Sequence, residues 1–318
     1  MTLLSELAGM LSDPFMQRSL AAAVIVGLTA PVMGTYLVQR RLSLLGDGIG
    51  HVALTGVAVG WLVGSAMGLV QNDALAVPGA VVAAIIGAIA IELVRERGRT
   101  SGDVALALLF YSGIAGGVLI IGFAGGTNAN LMSYLFGSIS TVTMTDLYLT
   151  IGLGVIILAV GVGLSAVLFA VSHDEDFARA SGLPVRALNI AIAVIAALTV
   201  TVSMRVVGLL LVSALMIIPV AVAQLVTTSF RRTMGVAVGV GVTVCVVGLS
   251  ITYWQPQSPG ATIVILAVLI YALVAALRPL VLRRRRAALD PHPDMLDDVS
   301  LDASPHASLH KGATTCSE

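Results

Sequence analysis

The chain has 318 residues, 58% of them hydrophobic and 11% charged, with a mean hydropathy of +1.01. A polymer of that composition cannot hide its apolar surface in a water-soluble core, so it belongs in a lipid bilayer. Its formal net charge of +0, with Lys and Arg confined to short clusters between apolar runs, leaves no basic surface for nucleic acid.

The opening stretch MTLLSELAGMLSDPF lacks the basic start of a cleavable leader, and its first positive charge is Arg18. The first apolar run therefore reads as a retained span. A helix crossing a bilayer needs about 20 mostly apolar residues. Nine runs qualify or nearly so: 17–39, 47–70, 77–95, 103–124, 146–171, 187–203, 206–227, 234–253 and 260–282. A further run, 128–140, is too short; lying between GGTNAN and TVTMTD, it reads as a re-entrant or interfacial helix. The predicted fold is all-α, a polytopic integral membrane protein of about nine transmembrane helices plus that short one. Residues 1–286 form the transmembrane domain. Residues 287–318, AALDPHPDMLDDVSLDASPHASLHKGATTCSE, hold too few apolar groups to offset ordering entropy and are expected to be a disordered tail.

Cytoplasmic loops accumulate Lys and Arg. Nine crossings with the N-terminus outside bring Arg40, Arg41, Arg95, Arg97, Arg99, Arg179, Arg186, Arg231, Arg232 and Arg283 through Arg286 to one side, leaving Arg18 and Arg205 on the other. Counting 128–140 as a full crossing would blur that bias. The expected orientation thus has a cytoplasmic C-terminus. Glycines at four-residue spacing, such as Gly64 and Gly68, Gly113 and Gly117, and Gly235 and Gly239, suit close helix packing. Pro31 and Pro219 lie inside spans and tend to kink them. Cys245 and Cys316 share no ligand or disulfide spacing.

The second span reads RRLSLLGDGIGHVALTGVAVGWLVG, which puts Asp47 and His51 four residues apart on one helix face. At about 1.5 Å per residue from Arg41, His51 lies roughly 15 Å into a hydrocarbon layer about 30 Å thick. Ionisable groups at that depth cost about 2.5 to 3.5 kcal/mol on insertion scales and normally face a polar path or a partner. Imidazole with carboxylate suits zinc or manganese better than magnesium or calcium. Two ligands per chain leave coordination to be completed by water, another helix or a second copy, which suits a site that must release its ion. The blander alternatives are a structural pair, bonded to each other or to a neighbouring helix, and a proton relay. Imidazole binds metal only when neutral, so affinity is expected to weaken as pH falls through the histidine's titration, and a pH-independent affinity would contradict a metal role.

Other polar residues say less. Asp103 opens the fourth span and suits its helix N-terminus, Glu92 lies one turn before Arg95 and reads as an interfacial ion-pair partner, and Arg205 sits in a tight turn. His292, His306 and His310 are isolated in the tail. Between the fifth and sixth crossings, within 173–186, HDEDFARAS fits a short helix with acidic residues early and Arg179 late, ended by Gly182 and Pro184. Phe177 on such a helix could dock into a groove on a partner; the alternative is a connector lying on the membrane surface. The only lysine is Lys311, so no phosphate-binding G-x-x-x-x-G-K-[ST] turn exists. If transport is driven by ATP, the nucleotide binds to a separate chain, and no covalently bound cofactor is expected.

PFMQRSL, RRLSLLGDGIGHVALTGVA, SGDVALALLF, SYLFGSI, DEDFARASGLPV and RVVGLLLVSALMIIPVAVAQL together resemble the integral membrane permeases of metal-importing ABC transporters, the ABC-3 family of zinc and manganese uptake permeases, over roughly residues 14–280. The resemblance implies a homodimer or paired permease in the bilayer, cytoplasmic ABC ATPase subunits that bind ATP, and an extracytoplasmic metal-binding protein. It implies that Asp47 and His51 line the path of Zn2+ or Mn2+. It also implies that the stretch holding Asp174, Glu175, Phe177, Ala178 and Gly182 is a coupling helix seated in the ATPase cleft. Leu54 and Thr55 stand where the family pattern has Leu-Pro, and Gly48 and Gly50 replace larger small residues. The rival expectation, from a different class, is an ion-coupled carrier working without an ATPase, for which an internal repeat would be expected and none is evident.

Overall fold

A computed structural model describes residues 9–68, 75–97, 102–123, 134–137, 142–204, 207–255 and 257–288. Its long elements are α1 (Pro14–Gln39), α2 (Leu45–Ala66), α3 (Ala76–Glu96), α4 (Gly102–Phe123) and α5 (Met144–Gly163). Two short helices follow, α6 (Ser165–His173) and α7 (Glu175–Ala180), and then α8 (Val185–Ser203), α9 (Leu209–Val226), α10 (Phe230–Trp254) and α11 (Pro259–Ala288). Among the described residues, 8 helices are long and apolar enough to cross a membrane, and α9 is a shorter apolar helix. These nine correspond to the nine predicted runs. Of the 128–140 segment only 134–137 are described, with 134–136 helical, and Arg205 lies outside the described residues.

Local chemistry explains where the helices begin. Asp13 caps α1 by accepting from the Phe15 amide, with Pro14 in the first turn where its missing N–H costs nothing. Thr143 and Asp146 form a reciprocal capping box that opens α5. The fifth apolar run, expected to be continuous over 146–171, is broken at Leu164. Gly161 and Gly163 weaken the helix just before that point, each costing about 1 kcal/mol relative to alanine, and α6 starts afresh at Ser165.

The chain falls into two compact units, residues 1–275 and 276–318. Within the first unit α1, α2 and α8 are the most buried spans, while α4 and α5 bury little of their surface. Wide apolar faces such as Leu108, Leu119, Tyr148 and Val155 are exposed, as expected where the solvent is lipid. Helix α2 is sandwiched between α3 and α4 and also touches α8 and α9; α1 packs on α5, α8, α9 and α10. Of the glycine pairs expected at interfaces, Gly113 and Gly117 do lie against α2, but Gly235 and Gly239 have nothing within 4 Å of a built Cβ among the described residues. Four-residue spacing marks a stripe without saying which side faces a neighbour. Of the second unit, the structure describes only the end of α11, to Ala288.

Candidate functional site

Asp47 lies in the first turn of α2, near free backbone amides that favour negative charge. One turn on, the His51 Nε2 stands 3.9 Å from Asp47 Oδ1, too far for a hydrogen bond. The two are therefore not a mutually satisfied pair. Their surroundings differ: the Asp47 side chain is 28% exposed and the His51 ring 4%. The ring packs edge-on against Phe110 at 4.3 Å between centroids, and its Nδ1 is buried with no hydrogen-bond partner. Ser213, from α9, donates to Asp47 Oδ1 over a long 3.4 Å.

Helix α4 reaches this region because Gly113 has no side chain. A Cβ there would fall 2.6 Å from the His51 carbonyl carbon and 2.7 Å from the Val52 nitrogen. Thr55 donates to the Gly113 carbonyl at 2.7 Å, so the residue standing where the family pattern has proline joins α2 to α4. Helix α2 runs unbroken through it. A cavity of about 330 Å³ opens beside Asp47, walled by Leu44, Gly48, Leu106, Ala107, Phe110 and Tyr111; His51 lies behind Phe110 and does not line it. No group of three or more His, Cys, Asp or Glu placed so as to hold a metal ion occurs among the described residues. Ser213 and Phe110 escape sequence reading, although a lone hydroxyl inside GLLLVSALMIIPV is the kind of signal that could have drawn attention to the first.

At the far end of α1 and α3, the expected loop helix is present as α7. Asp174 caps it, accepting from the amides of Asp176 and Phe177 at 3.0 and 2.9 Å. Ala178 is fully buried on Val171 and Val185. Gly182, at φ +80, turns the chain out of the helix in a conformation that glycine adopts without strain. Phe177 is 65% exposed and is the large apolar group that α7 presents outward. Glu175 turns inward instead: its Oε1 accepts from Arg40 Nη2 at 2.9 Å and from Asn189 Nδ2 at 3.2 Å. The same Arg40 nitrogen lies 3.6 Å from Glu92 Oε1, whose other oxygen accepts from Arg95 at 2.9 Å. The Glu92–Arg95 pair expected from spacing is thus part of a wider network. The Asp103 side chain lies outside the described residues.

These features define a polytopic helical membrane protein with one acid and one imidazole set close together inside it, and a capped, partly exposed helix at its polar end. Residues 12–278 match the ABC 3 transport family, and the chain belongs to that family. It is 30% identical over 270 residues to the manganese transport system membrane protein MntC of Halalkalibacterium halodurans, covering 85% of this chain and 89% of the relative. It is also 30% identical over 260 residues to the chelated iron transport system membrane protein YfeD of Yersinia pestis, covering 82% and 84%. Among solved structures, PsaBC from Streptococcus pneumoniae in complex with Fab superposes with a TM-score of 0.75 at 30% identity, over 86% of this chain and 95% of that one.

Proposed function

We propose that this chain is the membrane-spanning permease of an ATP-driven importer for a divalent first-row metal, manganese or zinc. Asp47 and His51 would be the residues that the ion touches in passing. The supporting observation is geometric. Ligand bonds from carboxylate oxygen or imidazole nitrogen are about 2.1 Å long, so one ion placed between atoms 3.9 Å apart can reach both without either side chain moving far. A histidine held for permanent ligation normally donates through its other ring nitrogen; the unpartnered Nδ1 of His51 suits brief contact better than storage. The names of relatives that transport manganese favour that ion, while the donor set accepts zinc equally well.

The absence of a P-loop and the exposed Phe177 on α7 support a separate cytoplasmic ATPase that binds ATP and receives residues 174–182. An extracytoplasmic binding protein would deliver the ion, and a second copy of the chain or water would complete its coordination. Membership of a family of ATP-binding-cassette transporters disfavours a carrier working alone. The clustered arginines support an orientation with the ends of α1 and α3 and the C-terminus on the cytoplasmic side, and the bacterial relatives support a bacterial plasma membrane. The test is uptake of radioactive manganese, with zinc in parallel, into proteoliposomes containing the chain, its ATPase and its binding protein. His51→Ala is expected to insert and co-purify with the ATPase while uptake falls to background. Normal uptake by that variant would overturn the proposal.

A further inference from the structure

Helix α7 is held to the rest of the chain by little. Its apolar anchorage is the small cluster of Val171, Ala178 and Val185, with Leu183 and Leu188 beside it. Open space flanks Glu175 at its head on both sides. One cleft of about 310 Å³ includes Glu92, Glu96, Glu175, Arg179 and Arg186 in its walls, and another of about 380 Å³ includes Arg40, Arg41, Ser172, His173 and Glu175. Arg40, in the wall of the second cleft, has a side chain only 3% exposed. A buried guanidinium is expensive unless carboxylates answer it; here Glu175 from α7 and Glu92 from α3 both approach its Nη2, while its Nη1 has no hydrogen-bond partner. Gln39 adds a parallel tie, bonding His173, the last residue of α6, at 2.9 Å.

Arg40 is also the C-cap of α1, its amide bonded to the Tyr36 carbonyl at 3.0 Å. It stands seven residues before Asp47. The intervening turn is tight. Arg41 takes the left-handed conformation at φ 58, Leu42 bonds back to the Leu37 carbonyl at 2.8 Å, and Leu45 to Leu42 at 3.0 Å. A left-handed non-glycine residue is strained and persists only where its surroundings fix it. The segment from Arg40 to α2 is therefore short, hydrogen-bonded and poorly able to absorb displacement.

We propose that Arg40 is the positioning residue through which movement of α7 reaches Asp47 and His51. By gripping Glu175 and Glu92 with one buried guanidinium, it makes α7, the foot of α3 and the head of α2 shift together. This rests on the reading of α7 as the ATPase-facing helix and of Asp47 and His51 as the ion's contacts. Detaching Glu175 while Arg40 stays buried would leave a charge half answered, so a push on α7 is passed to the turn instead of being absorbed in the flanking clefts.

Two measurements test it. With spin labels at the exposed positions Leu44 and Ser181, in a chain lacking other reactive cysteines and assembled with its ATPase, the distance between labels is expected to stay constant with and without ATP. The same pair in an Arg40→Lys background, which keeps the charge but replaces the longer planar group whose Nη2 meets both carboxylates with a shorter ammonium, is expected to change distance on ATP addition. In proteoliposomes Arg40→Lys is expected to assemble and hydrolyse ATP while metal taken up per ATP falls about tenfold, a size typical of coupling between two sites. A merely structural role for Arg40 would lower the melting temperature and leave that ratio unchanged. A label distance that changes with ATP in the Arg40 chain overturns the proposal, as does a wild-type uptake ratio in Arg40→Lys. His51→Ala is the separate control. Loss of its effect would remove the metal reading while leaving the label measurement to judge the tie.

Discussion

Asp47 and His51 share a face but not an environment, and that difference sets what each substitution does. Asp47 borders open space, so Asp47→Asn, which keeps shape and drops charge, is expected to leave the amount of folded protein unchanged and to raise the metal concentration needed for half-maximal uptake at least tenfold, measured in the same proteoliposomes. Ser213→Ala removes only a long 3.4 Å bond. Polar contacts between membrane helices average about 0.6 kcal/mol, so thermal unfolding should shift little; a large loss of stability would show Ser213 to be structural. The acid and the histidine were legible in the sequence because ionisable groups in an apolar run stand out by their cost. Ser213 and Phe110 were not, because their nearness to the pair depends on how α9 and α4 pack against α2, which no local pattern encodes. Arg40 was legible only as a loop charge. Charge bias assigns an arginine to a side of the membrane and is silent on whether its side chain turns inward.

Among the elements, α7 shows how a few residues specify a short helix. Asp174→Ala removes the cap from two amides and should cost about 1 kcal/mol of local stability, read as faster hydrogen exchange at Asp176 and Phe177 with the rest of the chain unaffected. Gly182→Ala forces a Cβ into the left-handed region and should cost a similar amount, about 1 kcal/mol. Phe177→Ala, at an exposed position, should leave folding intact yet weaken association with the ATPase about tenfold or more, as loss of an aromatic anchor does; unchanged co-purification would remove α7 from the interface. The cap, the acidic start and the glycine stop were all readable in HDEDFARASGLP because each acts over three or four residues. The break at Leu164 was not readable, since hydropathy is high on both sides of it and records burial, not continuity.

At the scale of the whole molecule, hydropathy located the nine apolar helices because crossing hydrocarbon demands a length that few other structures need. The proposed orientation predicts labelling from opposite sides. In a background without Cys316, a cysteine replacing exposed Ser181 should react with a membrane-impermeant reagent only from the cytoplasmic side, and one replacing Met67, at the other end of α2, only from outside. Reaction of both from one side would refute the threading. The join between Thr55 and Gly113 bears on how the proposed permease would move. Sliding one helix along the other would break that hydrogen bond and bring a side chain against the backbone that Gly113 now meets. Close packing of α2 on α4 with no side chain at Gly113 makes this seam one along which the proposed permease is expected to move least.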